Sequence, residues 1–256
     1  MLLLASAISA HDLYLLPGVF HVPKGAELKV AFHNGDSFPE SEVAPKIERL
    51  LEAKVSGQGG TAPIQKLHVA GKETFGEVKI VGTGSFLLSV RTVSNLIELA
   101  PAKFLAYLKE EGLSEVIDWR TEHAETNKPG RERYTKFAKS VVVSGSPDGY
   151  FGHSLGFPIE IIPLSDPLAV HAGGSLPVRV MFHGKPAAGI QLESAWASDI
   201  QKKTVIVGRT GADGAIAVPI AQAGKWRLHS LKMERCTELA VADWESSWAS
   251  LTFEIL

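Results

Sequence analysis

The 256-residue chain contains a single cysteine, Cys236, so it can form neither an internal disulfide nor a cysteine-rich metal cluster. The plain reading of Cys236 is a buried, chemically silent thiol. Excess charge of either sign is also missing. With 26 Lys and Arg against 28 Asp and Glu, the net charge is −2 at pH 7, and nothing marks a nucleic-acid partner. No apolar run reaches the length needed to span a bilayer. The chain has no G-x-S-x-G elbow, no H-E-x-x-H, no phosphate loop and no G-x-G-x-x-G ahead of a helix, so the expectation is a protein that is not an enzyme. Its nine histidines include no H-x-H or H-x-x-x-H pair, so any imidazole site must be assembled by the fold.

What the chain does have is an internal echo. Val22-Pro-Lys-Gly-Ala-Glu-Leu-Lys-Val-Ala-Phe-His-Asn-Gly35 returns as Val170-His-Ala-Gly-Gly-Ser-Leu-Pro-Val-Arg-Val-Met-Phe-His-Gly184, each copy preceded by an extended run with a proline, Pro17 or Pro163. Gly84-Ser-Phe-Leu-Leu-Ser89 and Gly224-Lys-Trp-Arg-Leu-His229 match more weakly. An apolar content of 45% is enough for two cores in a chain of this length. The expected fold is mainly β, with two immunoglobulin-like β-sandwich domains, 11–156 and 157–256, the first with a helical insertion at about 97–139.

Within the first half, alternation of Leu28, Val30 and Phe32 with polar neighbours predicts a half-buried strand, and Lys66–Val69, Glu77–Val81 and Phe86–Val93 read as further strands. Pro101 to Gly112 predicts a helix with Phe104, Leu105 and Leu108 on one stripe and a glycine C-cap. A second helix is expected over Ser114–Glu125 with Ser114 as N-cap, and Arg131–Ala138 reads as helical again before a strand at Ser140–Ser144. The second half reads as seven strands ending at Ile255. Trp226 is expected in the core, and Ser250, Thr252 and Glu254 are expected on the outer face of the last strand. The connection Glu234–Ser247 is expected to be irregular.

The first ten residues, Met1-Leu-Leu-Leu-Ala-Ser-Ala-Ile-Ser-Ala10, resemble the second half of a secretory signal, with cleavage after Ala7 or Ala10. The expected location is therefore periplasmic or secreted. Cleavage after Ala10 makes His11 the mature terminus, and its α-amine and imidazole together can chelate Cu(II) or Ni(II), with Asp12 adding a carboxylate.

Several motifs occur together and in order: His11-Asp-Leu-Tyr-Leu15, His33-Asn-Gly-Asp-Ser-Phe-Pro39, Phe104-Leu-Ala-Tyr-Leu-Lys-Glu-Glu-Gly-Leu113, Arg131-Glu-Arg-Tyr-Thr-Lys-Phe-Ala-Lys139, Pro158-Ile-Glu-Ile-Ile-Pro-Leu-Ser-Asp-Pro167 and Asp243-Trp-Glu-Ser-Ser-Trp-Ala-Ser-Leu-Thr-Phe253. Through them, over nearly its whole length, the chain resembles a widespread exported bacterial family of undefined function. Some members of that family are described as periplasmic components of nickel or cobalt uptake systems. The resemblance implies an exported protein that handles a divalent transition metal, nickel or cobalt and with copper as a further option, and passes it to a membrane transporter or another envelope protein.

The candidate metal ligands are His11, Asp12, His33 and His229. His33 and His183 occupy equivalent positions in the echo, which equally suits imidazoles bonded to turn backbone. His229 leads toward Asp243 and Glu245, an imidazole and two carboxylates that can share a ligand. Arg131, Arg133, Tyr134 and Lys139 form a basic and aromatic group that reads either as an anion or carboxylate clamp or as a helix face paired with Glu110, Glu111 or Glu115. A different class of function is a non-catalytic recognition module for a glycan, peptide or envelope protein. The turns Lys185–Gly189 and Thr210–Gly214, which resemble those of carboxypeptidase-regulatory-type sandwiches, favour it.

Overall fold

The computed structural model describes residues 11–197 and 204–256; residues 1–10, expected to be a secretory leader, and the expected cleavage points lie outside the described residues. The first half runs β1 (Leu13–Pro17), β2 (Glu27–Asn34), β3 (Leu50–Gly57), β4 (Gly60–Pro63), β5 (Gln65–Ala70), β6 (Glu73–Lys79), β7 (Gly84–Thr92), β8 (Asn95–Leu99), α1 (Pro101–Glu110), α2 (Ser114–Glu122) and β9 (Gly130–Ser144). The second runs β10 (Ile159–Pro163), β11 (Ser175–Phe182), β12 (Lys185–Pro186), β13 (Gln191–Trp196), β14 (Val205–Arg209), β15 (Ala215–Pro219), β16 (Gly224–Arg235) and β17 (Trp244–Ile255).

Two small sheets cover opposite faces of a large one. The first small sheet has the order β1-β2-β6-β5, and the second joins β10, β11 and β12 with β15 on β11. The nine-stranded sheet runs β14-β13-β16-β17-β9-β7-β3-β4, with β8 also on β9. At its middle, β9 and β17 pair in parallel from Glu132 beside Trp244 to Ser140 beside Thr252, so one sheet serves both sandwiches. Alternation along its strands divides the side chains between two cores. Phe86, Leu88 and Val90 face the first small sheet, while Leu87 faces the second. Ala138 and Val142 of β9 likewise enter the first core, with Phe137 and Val141 in the second.

The echo in the sequence is a repeated hairpin. β1 pairs antiparallel with β2, β10 with β11, and each prolyl residue closes the first strand of its pair. Trp226 is fully buried in the second core.

Several expectations are corrected. Arg131–Ala138 is not helical. It is the first half of the long strand β9, which continues into Val141–Val143 and pairs with β7, β8 and β17. The basic group therefore finds its partners across a strand pair and not along a helix face: Arg131 bonds Asp243, and Arg133 bonds Glu238 and Glu245. The helical insertion shrinks to α1 and α2, where Phe104 and Leu108 are buried but Leu105, on the flank of their stripe, is 37% exposed. Ser114 opens α2 as its first helical residue and leaves Leu113 as the cap, whereas the glycine stop after α1 is as expected, with Gly112 at φ +66°. Finally, the outer face of β17 is not solvent. Ser250 and Thr252 are buried and donate to the carbonyls of Leu13 and Leu15, both at 2.6 Å, so β17 is covered on its second face by β1. The irregular connection narrows to 236–243, since β16 and β17 extend toward each other.

Candidate functional site

The chain segment between β2 and β3 is what builds the site. After β2 it turns back on itself: Glu42 and Val43 both donate to the Asn34 carbonyl, at 3.0 and 3.2 Å, and Gly35 donates to Asp12 at 3.1 Å. Gly35 is required by close approach, because a Cβ there would sit 2.8 Å from the Glu40 carbonyl and 3.0 Å from the Glu42 nitrogen. Gly35→Ala is thus expected to push the returning segment away and cost about 1–2 kcal/mol, read from the urea midpoint. A midpoint equal to that of the wild type would show that the segment yields freely.

This return brings Glu42 beside Asp36, whose backbone donates to the Glu42 carboxylate at 3.1 Å. His11 meets both: its Nδ1 lies 3.1 Å from Asp36 Oδ2 and 3.6 Å from Glu42 Oε2. One donor atom from each of the three residues fits within a 4.8 Å span, the one such group of potential metal ligands found among the described residues. Donors bound to a common first-row ion at about 2 Å lie roughly 3 Å apart, so this spacing needs little adjustment to close on a cation. His11, Asp36 and Glu42 are partly exposed, which leaves room for water or a further ligand.

One residue further on, Asp12 is buried and belongs to a different cluster. His229 of β16 places Nδ1 3.0 Å from Asp12 and Nε2 3.2 Å from Glu111, the residue that ends α1. Arg227, two residues earlier on the same strand face, holds the other Asp12 oxygen at 3.0 Å. Burial opposes a charge on His229, but Asp12 and Glu111 outweigh it and push the imidazole up to about 10, so both ring nitrogens carry protons at neutral pH. Burial likewise pushes the Asp12 carboxyl up, yet His229, Arg227 and Lys136 together hold it well below the usual carboxylate range. His229 is in this state a clamp between β1 and α1, with no lone pair to offer an ion.

The structure thus splits the four expected metal ligands. His11 joins Asp36 and Glu42, Asp12 joins His229, and His33 stands apart, buried against the Tyr14 ring at 5.0 Å with Nε2 3.2 Å from Glu73. Burial pushes His33 down to about 4, which leaves it neutral. The expected basic clamp is split as well. Arg131 and Arg133 are tied to carboxylates of the 236–243 connection and β17, Lys139 is buried with Glu160, and Tyr134 points to the other face of β9. Asp243 and Glu245 serve these arginines and do not meet His229.

Between α1 and the large sheet lies a cavity of about 550 Å³. Its wall carries Asp12, Asp36, Glu110, Glu111, Glu132 and Glu193 against Lys103, Arg227 and His229, with Tyr107 and Trp248 as aromatic surface. Deep in this wall, Glu132 accepts from Tyr107 Oη at 3.1 Å and from Ser246 Oγ, which in turn accepts from Trp248 Nε1 at 2.9 Å. Burial pushes the Glu132 carboxyl up to about 7. Sequence reasoning overlooked Glu42, Glu132, Glu193 and Arg227. The available signal was polar residues alternating with core residues in strands, as in Trp226-Arg227-Leu228-His229, where one face is core and the other must be a polar interior.

None of the described helices is long and apolar enough to cross a membrane. Among solved structures, the chain is similar to the D0–D1 domains of intimin at 13% identity, covering 94% of this chain and 97% of that one, with a TM-score of 0.20. It is similar to the three N-terminal domains of the highly immunogenic outer capsid protein Hoc of bacteriophage RB49 at 11% identity, with coverages of 94% and 59% and a TM-score of 0.21. The major pilin subunit BcpA of Bacillus cereus matches at 10% identity, with coverages of 89% and 60% and a TM-score of 0.17. No curated protein matches the chain. The family model of the domain of unknown function DUF4198 matches residues 8–234, and the chain belongs to that family.

Proposed function

We propose that the protein is an exported binding protein for a divalent transition metal, held by His11, Asp36 and Glu42. The observation that carries this reading is the convergence of one imidazole and two carboxylates at the start of β1, where the chain folds back to deliver Glu42. A mixed nitrogen and oxygen set of this kind suits nickel, cobalt, zinc or copper better than calcium or magnesium, which take oxygen ligands almost throughout. Cleavage after Ala10 would add the His11 α-amine as a further donor and bias the set toward copper or nickel. The apolar leader and the family resemblance support export and transfer of the ion to a membrane transporter.

Calorimetric titration of the metal-free protein with nickel, cobalt and copper tests the reading. Binding is expected in the micromolar range or tighter, weakened at least tenfold in His11→Ala and in Glu42→Ala and unchanged in His33→Ala. Failure of all three ions to bind below millimolar concentration would overturn it, and equal binding by the His11 and Glu42 variants would move the site elsewhere.

A further inference from the structure

A second, smaller cavity of about 210 Å³, lined in part by His11, has the opposite character. Three cations line it, Lys46, Arg49 and Lys136, and no carboxylate does. By contrast, Arg91, Arg131, Arg133, Arg227, Lys139 and Lys232 each meet an acidic group. Among the described residues, no carboxylate or carbonyl bonds the Arg49 guanidinium or the Lys46 ammonium.

The local backbone explains why these cations gather. Lys46 and Arg49 bracket a short 3₁₀ turn, Ile47–Arg49, closed by Arg49 N donating to the Lys46 carbonyl at 3.0 Å. Lys46 precedes the turn in extended backbone and Arg49 ends it, and both line the cavity. The turn is anchored from behind by Thr74 Oγ1, which donates to the Pro45 carbonyl at 2.5 Å. Arg49 approaches the Tyr134 ring to 5.8 Å and Lys136 approaches it to 5.5 Å, so both cations converge on one aromatic face. Lys136 is buried and donates to the His11 carbonyl. Three cations thus share one cavity wall that carries no carboxylate.

We propose that this cavity binds a small organic carboxylate, gripped by Arg49, Lys46 and Lys136 with its carbon body against Leu13, Val43 and Ile97. The guanidinium supplies the planar fork that matches a carboxylate, and the ammonium groups supply further donors. The apolar wall is the reason to choose an organic acid over a bare inorganic oxyanion, which would leave that wall wet. The site stands on its own geometry and does not depend on the metal reading.

The test is calorimetric titration of metal-free protein with citrate and, separately, with inorganic phosphate, so that failure here says nothing about the metal site. Citrate is expected to bind at least about tenfold tighter than phosphate. Arg49→Gln should weaken citrate about tenfold and Lys46→Gln by a smaller factor, while the exposed Lys72→Gln changes nothing. Circular dichroism confirms that each variant is folded, and Lys46→Gln keeps the test decisive should Arg49→Gln misfold. Phosphate binding as tightly as citrate would overturn the carboxylate assignment. Absence of citrate binding at millimolar concentration, or binding indifferent to both variants, would overturn the site.

Discussion

Glu160→Ala will cost the protein roughly 3–5 kcal/mol, more than any surface change, because it strands a buried cation and several amide donors together. Glu160 begins the second half of the fold, and its carboxylate has almost no exposure. It accepts from Lys139 Nζ at 2.8 Å, from Ser154 Oγ at 2.6 Å, and from the backbone amides of Leu155, Gly156 and Phe157 at 2.9, 2.8 and 3.2 Å. Burial pushes this carboxyl up, but Lys139 and the donated hydrogen bonds prevail and hold it below the ordinary value, so it is ionised at neutral pH. Alanine removes every one of these acceptors at once. Lys139→Met should cost less, since Glu160 keeps its hydroxyl and amide donors when the ammonium is gone. Urea unfolding of the two variants measures both, and the ordering is the sharp part of the expectation. A cost below about 1 kcal/mol for Glu160→Ala would mean that water reaches the site and satisfies the groups left behind.

The same junction shows which parts of the architecture could be read from the sequence. The repeated hairpins were legible because alternating Leu28, Val30 and Phe32, echoed by Leu176, Val178 and Val180, bury the same face twice. The segment Arg131–Ala138 was misread for a physical reason. Its charges and aromatics suit an exposed helix, and only tertiary partners far away in sequence, Asp243 and Glu245, make them compatible with a central strand. Ser250 and Thr252 misled in the same way: small polar residues alternating with Leu251 and Phe253 suggest a wet face, yet β1 supplies the carbonyls that satisfy them.

The candidate site was legible in one ligand and opaque in the others. His11 stood out by its position after the apolar stretch 1–10. Asp36 and Glu42 reach it only because Gly35 lets the chain double back, and that geometry leaves no periodic trace. His229 was visible as a histidine on a strand, but its burial between Asp12 and Glu111 depends on strand register and on where α1 ends, neither of which composition specifies. His33 and His183 show how far an echo can mislead. They are equivalent in the repeat, yet His33 is buried on Tyr14 and His183 lies on the surface beside Glu234.

Glu132 should withdraw roughly 3 kcal/mol of stability as pH rises from about 4.5 to about 7, an interval in which His33, pushed down to about 4 by burial, contributes in the opposite sense. Its carboxyl is pushed up to about 7, chiefly by burial, while hydrogen bonds from Ser246 and Tyr107 oppose the shift only in part. Between an unfolded value near 4.5 and the folded one, the native chain holds a proton that the unfolded chain has lost. At this group the native state therefore binds more protons, and its contribution to stability declines with rising pH. Glu132→Gln keeps an acceptor for Tyr107 and Ser246 but cannot ionise, so the difference between variant and wild type isolates this one group from every other titration. The variant should gain on the wild type progressively across that interval and be the more stable protein at pH 8, with the two differing least in their pH slopes below about pH 4. Urea unfolding at a series of pH values reads the difference directly, and parallel curves would show that Glu132 is hydrated through the cavity and ionises at its ordinary value. A carboxylate kept in the wall of an acidic cavity, at a cost to stability above neutral pH, is a local conflict between burial and charge. The gain in stability of Glu132→Gln is the measurable size of that conflict.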